Sequence, residues 1–512
     1  MKGGTLRLIL GDQLNENHSW FSSCRDDVTY LLMEILPEAT CVTHHIQKLC
    51  AFLGAMRAFA DRLRSRGHRV IYLSLDDPGN RQSFGGNIES LIGRSGFQRF
   101  EYLLPDEYRL DAGLAAVAAR LPVPVQVHDT EHFLAGRSGV ARFFEGKKRY
   151  LMESFYRSMR KEFGFLMDGH RPLGGKWNYD TLNRARYDDA VPIPTPLIFR
   201  NDLSPIMIMI DEAKVPHFGA VEPEGLIWPL SRDQALQVLG AFLRDGLPHF
   251  GTYEDAMTVR SWSLFHSRLS FALNTKMLTP REVIDAAIGA WAQRKEEIEI
   301  RQIEGFVRQI CGWREYMRGM YWMLMPEFAR MNFFDHSLPL PHYYWDGDTH
   351  MACMHHVLAQ SLTHAYAHHI QRLMVAGNFA LLAGIDPDEV DRWYLGVYID
   401  AVEWVEKPNT RGMSQFADGG IIASKPYVSS ARYIHSMSDY CEACSYDWSR
   451  RQGERACPFN SLYWDFLARH RRLLAANPRM GLVYRTLDRM DRHELRAVLH
   501  QAGYYRSRLE RL

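Results

Sequence analysis

The strongest constraint on what this chain can fold into is a change of hydrophobic rhythm along it. Up to about residue 130 short apolar runs alternate with helical patterns, whereas beyond about 230 apolar residues recur at i, i+3, i+4 spacing and strand alternation stops. In the first part TLRLIL (5–10), VTYLLME (28–34), RVIYLSL (69–75), RFEYLLP (99–105) and VPVQVHD (123–129) have the length of buried strands. Between the second and third, HHIQKLCAFLGAMRAFADRLRSRG has the length and spacing of a crossover helix, which makes those strands parallel. The expected architecture is a doubly wound, Rossmann-like α/β domain over 1–134, an interdomain linker over 135–229 marked by HRPLGGKWNYD and VPIPTPLIF, and a large all-α domain over 230–512.

The α/β part has neither GxGxxG nor a Walker A loop, so nothing in it specifies a nucleotide diphosphate. In such sheets a ligand lies beyond the carboxyl ends of the strands, which directs attention to Gly11, Asp12, Gln13, Glu34 and Glu38. No apolar run approaches bilayer length and the N-terminus turns polar too early for a signal peptide, so a cytoplasmic location without membrane contact is expected. The net charge of +1 is unevenly spread: residues 450–512 carry fourteen arginines against six Asp or Glu, a solvated helical face or a surface for phosphates.

Eight cysteines in 512 residues are too sparse for a disulfide scaffold. Three of them, however, stand in YCEACSYDWSRRQGERACPFN with the spacing C-x2-C-x12-C: Cys441, Cys444 and Cys457. Zinc and cubane iron–sulfur clusters both call for four ligands, so a fourth has to come from elsewhere in the chain. Cys24, Cys41, Cys50 and Cys311 are expected as packed or free thiols.

SRLSFALN (267–274), EGFVRQICGWREYMRGMYW (304–322) and the stretch from AYAHHIQR through QFADGG (365–420), together with LILGDQL near the start, resemble the photolyase and cryptochrome family, and within it the bacterial iron–sulfur branch that includes prokaryotic (6-4) photolyases. The resemblance implies a light-driven lyase that repairs (6-4) photoproducts in UV-damaged DNA and works as a monomer. The alternative is a blue-light signalling cryptochrome with the same flavin. A more remote one is an iron–sulfur nucleic-acid-binding protein without photochemistry.

The resemblance also implies cofactors and roles. A [4Fe-4S] cluster would take Cys353 in addition to Cys441, Cys444 and Cys457, and FAD would lie in the helical domain. Its pyrophosphate and ring call for hydroxyls, amides, guanidinium groups and a carboxylate, for which the matched motifs supply Ser267, Leu269, Ser270, Gln309, Arg314, Glu315, Arg372, Asn378 and Asp400. Glu406 stands where many relatives have an asparagine facing flavin N5; an acid there can hold a proton that asparagine cannot. His368 and His369, with Tyr427, are implied for the lesion pocket, and Trp345, Trp393 and Tyr394 for electron transfer to the flavin. The antenna pigment of the branch, 6,7-dimethyl-8-ribityllumazine, would sit at the sheet near Asp12, Gln13, Glu38 and Lys48. Arg450, Arg451 and Arg455 are available for DNA phosphates.

Overall fold

The computed structural model describes residues 3–221 and 225–512. All five expected strands form: β1 (Thr5–Leu8), β2 (Val28–Met33), β3 (Arg69–Leu73), β4 (Arg99–Leu103) and β5 (Val125–His128). They make one parallel sheet in the order β3-β2-β1-β4-β5, with Leu6 opposite both Thr29 and Phe100. The order reverses between β1 and β4, which makes the space beyond Leu8 and Leu103 the natural crevice of the sheet.

The crossover helix Ile46–Ser65 starts at His45, whose side chain accepts from the Gln47 amide, and the chain turns out of it at Gly67 with φ +88°. It covers one face of the sheet through Leu49, Met56 and Ala60 and presents its other side to the helical part, where Phe52 meets Phe271 edge-on at 5.3 Å. Gly54 permits that approach: a Cβ there would sit 3.0 Å from Leu230 Cδ1. The other face of the sheet packs Leu8, Leu31 and Phe100 against Ile88, Ile92 and Leu114 of helices Phe84–Ser95 and Tyr108–Ala118.

The stretch 135–229, expected as an extended linker, contains helices Gly139–Phe144, Met152–Phe163 and Ser204–Glu212 among its described residues. Phe144, Tyr156 and Met159 are buried in the same core as the helical part, and Tyr156 donates to Glu304 at 2.8 Å. Its Gly and Pro punctuate real helices, because amphipathic segments this short show little periodicity in sequence.

After residue 230 the described chain is helical apart from loops, turns and isolated bridges, as its spacing predicts. Four helical runs widen into π-helical turns, at Phe242–Gly246, Arg308–Arg314, Gln371–Gly377 and Pro408–Ser414. Each such turn inserts a residue and redirects side chains, a device common at functional sites. No helix among the described residues is long and apolar enough to cross a membrane.

Candidate active site and cofactor cavities

The last three of these π-helical turns surround a cavity of about 310 Å³. Of the ten residues expected to hold a flavin, Ser267, Leu269, Ser270, Gln309, Arg314, Arg372, Asp400 and Glu406 line it. The other two do not. Glu315 points away, its carboxylate accepting from the amides of Leu134 and Ala135, and Asn378 is tied to Ser429 by side chain and backbone. Both are buried anchors of the wall, and their place in the motif does not distinguish an anchor from a lining group.

Arg372 and Asp400 form the electrostatic centre of the cavity, a bidentate pair at 3.0 and 3.2 Å. Arg372 also donates to Ala367 O at 2.6 Å and lies over the Tyr398 ring at 3.7 Å. Beside it, Glu406 is pushed up to about 7 by burial, with Arg372 and the Thr410 hydroxyl pulling the other way. Arg314 is held down to about 10 by burial; its Nε and Nη1 make no hydrogen bond, Nη1 lying 3.9 Å from Glu315 Oε1. A buried guanidinium with two free donors facing a cavity is suited to an anionic ligand such as a pyrophosphate.

His368 and His369 both line the cavity, His368 buried and His369 exposed toward it. A third histidine, His266, stacks on His368 with centroids 4.5 Å apart and planes 14° apart. The backbone bends sharply to achieve this. Leu264, Arg268 and Ala365 adopt left-handed φ of +44°, +54° and +52°, each costing about 1–3 kcal/mol for a side-chain-bearing residue. Tyr427 does not line the cavity; it is half-buried near Asp180 and Asp255. Glu254 and Asp255, not foreseen from sequence, border the cavity and are raised by burial to about 8 and about 6.

Tyr394 reaches the cavity and stands edge-on to Trp393 at 5.3 Å. The next ring is Tyr344, 5.2 Å from Trp393, which also donates its indole N–H to Tyr344 O. Trp345 lies half-exposed against Phe218, and its ring is not paired with Trp393. Sequence pointed to the tryptophan; its neighbour Tyr344 has the inward-facing ring.

A second cavity, of about 460 Å³, opens at the crevice of the sheet and is closed by the helical part. Asp12, Glu38 and Lys48 line it, with Gly11 and Glu34. Gln13 does not: it bridges the ends of β1 and β4, accepting from Leu10 N and donating to Leu103 O and Leu104 O. Lys48 is buried and held down to about 8 by desolvation, its ammonium donating to Leu395 O and Ala401 O at 2.6 and 2.7 Å. Below the crevice Lys276 pairs with Asp12 and Asp106 at 2.9 and 3.0 Å, and Arg318 with Asp106 at 2.9 Å. One segment walls both cavities. Tyr394, Asp400, Val405 and Glu406 face the first, while Leu395, Ala401, Val402, Glu403, Trp404 and Lys407 face the second.

Cys353, Cys441, Cys444 and Cys457 all line one small closed pocket, otherwise walled by Met351, Ala431, Ile434, Tyr440, Tyr446, Trp448 and Phe459. Burial and the other three thiols push Cys353 well above the usual thiol range. Cys457 caps helix Pro458–Arg469; burial pushes its thiol up as well, with the amides of Phe459 and Asn460 at the helix N-terminus pulling the other way. No group of three or more His, Cys, Asp or Glu among the described residues has the geometry to hold a metal ion. A buried amide chain joins this pocket to the histidines: Tyr440 accepts from Gln371 Nε2 at 2.9 Å, and Gln371 Oε1 accepts from the His368 amide at 3.0 Å. Nearby, Arg450 pairs with Asp447 and Arg451 with Glu494, while Arg455 donates to Ser445 O.

Residues 7–226 match the family model described as deoxyribodipyrimidine photo-lyase-related protein. The chain is 43% identical over 498 residues, 96% of its length and 97% of the relative's, to a (6-4) photolyase of Agrobacterium fabrum. In fold it is similar to a bacterial class III photolyase from Agrobacterium tumefaciens (TM-score 0.57, 16% identity, 83% of this chain and 82% of that one). It is likewise similar to the cryptochrome of Synechocystis sp. PCC6803 (TM-score 0.57, 11% identity, 85% and 86%). With near-complete coverage at that identity, the chain belongs to the photolyase and cryptochrome family.

Proposed function

We propose that this protein is a light-driven DNA-repair enzyme that acts on (6-4) pyrimidine photoproducts. The observation that carries the reading is the full-length likeness to a (6-4) photolyase, supported by a helical cavity that brings an anion-ready arginine, a buried acid and a histidine cluster together. Reduced FAD bound in that cavity would supply the photoexcited electron. Arg314, Ser267 and Ser270 would hold its pyrophosphate, and the Arg372–Asp400 pair would fix the opposite wall. His369, exposed toward the cavity and held down to about 4 by burial and Arg372, would meet an extruded lesion as a neutral imidazole that donates and accepts hydrogen bonds. Tyr394, Trp393 and Tyr344 form a path along which a hole leaves the flavin site. The working partner is UV-damaged DNA, approached by a single copy of the chain.

Two further cofactors complete the proposal. Four thiols facing one apolar pocket with no basic side chain in its wall need a cationic centre to ionise, and a [4Fe-4S] cluster spaces its ligands more widely than a single ion does. The second cavity, with acids and donors over an apolar floor, suits a lumazine antenna. Acid-labile sulfide that disappears in Cys353→Ser would support the first, and a fluorescent pigment released on heating the second; a purified protein with neither sinks both.

The deciding assay uses the anaerobically reduced protein under blue light on two oligonucleotides, one carrying a (6-4) photoproduct and one a cyclobutane dimer. Restoration of the (6-4) substrate alone is the expected result. Restoration of the dimer alone would reassign the substrate, and restoration of neither by FAD-loaded protein would favour signalling. For Glu406 the sign follows from its raised value: the carboxyl is neutral below about pH 7 and ionised above it. Photoreduction of bound FAD is therefore expected to slow as pH rises through that point, and Glu406→Gln to flatten the profile. An unchanged profile in the variant would remove Glu406 from that role.

A further inference from the structure

The lesion-pocket reading uses His368 and His369; the structure adds a histidine that no motif marked. His266 lines the same cavity, and its ring lies parallel to that of His368 at 4.5 Å. Phe250 meets the His266 ring edge-on at 6.0 Å, so His266 is clamped between an aromatic edge and the second imidazole. Nε2 of His266 and both ring nitrogens of His368 lack a well-formed hydrogen bond, although the Ala256 carbonyl bears on His368. The left-handed residues at Leu264, Arg268 and Ala365 flank the two segments, so the backbone is distorted on both sides of the stack.

Two parallel imidazoles at this separation, shielded from water, cannot both carry a proton. The groups bearing on them reinforce this. Arg372 and His369 oppose a charge on His368, His369 opposes one on His266, and the acids of the cavity, Glu254, Asp255, Asp400 and Glu406, lie in its other walls. His369 presents surface to the cavity, and burial together with Arg372 holds it down to about 4.

We propose that His266 is a positioning residue of the lesion pocket: stacked on His368, it fixes the plane of that ring and keeps the stacked pair from taking up a proton. This rests on the repair reading above, and the test separates the two. His266→Phe keeps an aromatic ring in the stack and removes the ionisable nitrogen.

The test uses full-length, FAD-loaded protein labelled with 13C-histidine, in wild-type and His266→Phe forms, with His368→Asn to assign the resonance. In the wild type the His368 signal is expected not to titrate above the acid limit of the folded protein; in His266→Phe it is expected to titrate at higher pH. Repair of the (6-4) oligonucleotide by His266→Phe is expected to fall roughly tenfold with FAD content retained, and the acid limb of its pH profile to move upward. An identical His368 titration in the two proteins overturns the proposal, whatever the repair result. So does wild-type repair by His266→Phe at every pH. If His266→Phe loses FAD, His266→Gln, which retains a polar group of similar reach, takes its place in both measurements. A wild-type protein that restores neither lesion overturns the repair reading and with it the role of His266, while a shifted titration would still report the coupled pair.

Discussion

Replacing Asp106 with alanine is expected to cost about 3–5 kcal/mol of stability, the range for removing one partner from a buried ion cluster. Asp106 follows β4 at the crevice of the sheet, and its carboxylate meets Arg318 at 2.9 Å and Lys276 at 3.0 Å, all three side chains nearly inaccessible. Its loss leaves Arg318 buried without a carboxylate partner and Lys276 with Asp12 alone, at the contact between sheet and helices. The wild type carries the same information in its acid response. Arg318 and Lys276 overcome desolvation and hold Asp106 down to about 2, against 3.8 for a free side chain. A depressed carboxylate contributes stability above its unfolded value and loses it as pH falls through the folded one. This group therefore accounts for about 2–3 kcal/mol that disappears between roughly pH 4 and pH 2. Urea midpoints of wild type and Asp106→Ala at pH 7 and pH 3 check both statements; a gap that does not narrow at pH 3 contradicts them.

Arg372→Leu is expected to remove FAD binding and to destabilise the protein by about 3–5 kcal/mol. The arginine is the only partner recorded for the Asp400 side chain among ion pairs of the described residues, and it also fixes the Ala367 carbonyl directly before His368. Leucine leaves the Asp400 carboxylate buried and unpaired and frees the backbone that carries the histidines. Arg372→Lys restores the charge but not the two-pronged geometry, so it is expected to recover part of the stability and little of the flavin. Flavin absorbance per chain together with a denaturant curve reads both effects, and a leucine variant that stays yellow would show that Asp400 is satisfied another way.

The strands were legible because five apolar runs of strand length bounded by turns have few alternative uses, and the sheet has all five where they were expected. The helices of 135–229 were not, because short amphipathic segments broken by Gly and Pro read as linker. At the site, long composite motifs located the cavity, but could not separate residues that face it from those that brace it. Glu315 and Asn378 look outward from the right helices, and Gln13 sits at the right strand end with its amide used up by the backbone. His266 was hidden for a different reason. A lone histidine between Phe265 and Ser267 has no periodic signal, and only the bend at Leu264 and Arg268 brings it onto His368.

The segment from Tyr394 to Lys407 is a party wall one chain thick. Lys48 grips it from the second cavity through Leu395 O and Ala401 O, and Asn274 grips it from the first through Asp400 O at 2.8 Å. Reshaping the second cavity therefore also moves Asp400 and Glu406, and substitutions on the two faces will not add. The two chambers are coupled mechanically: a change of shape in one is felt across the shared strand of backbone by the side chains of the other.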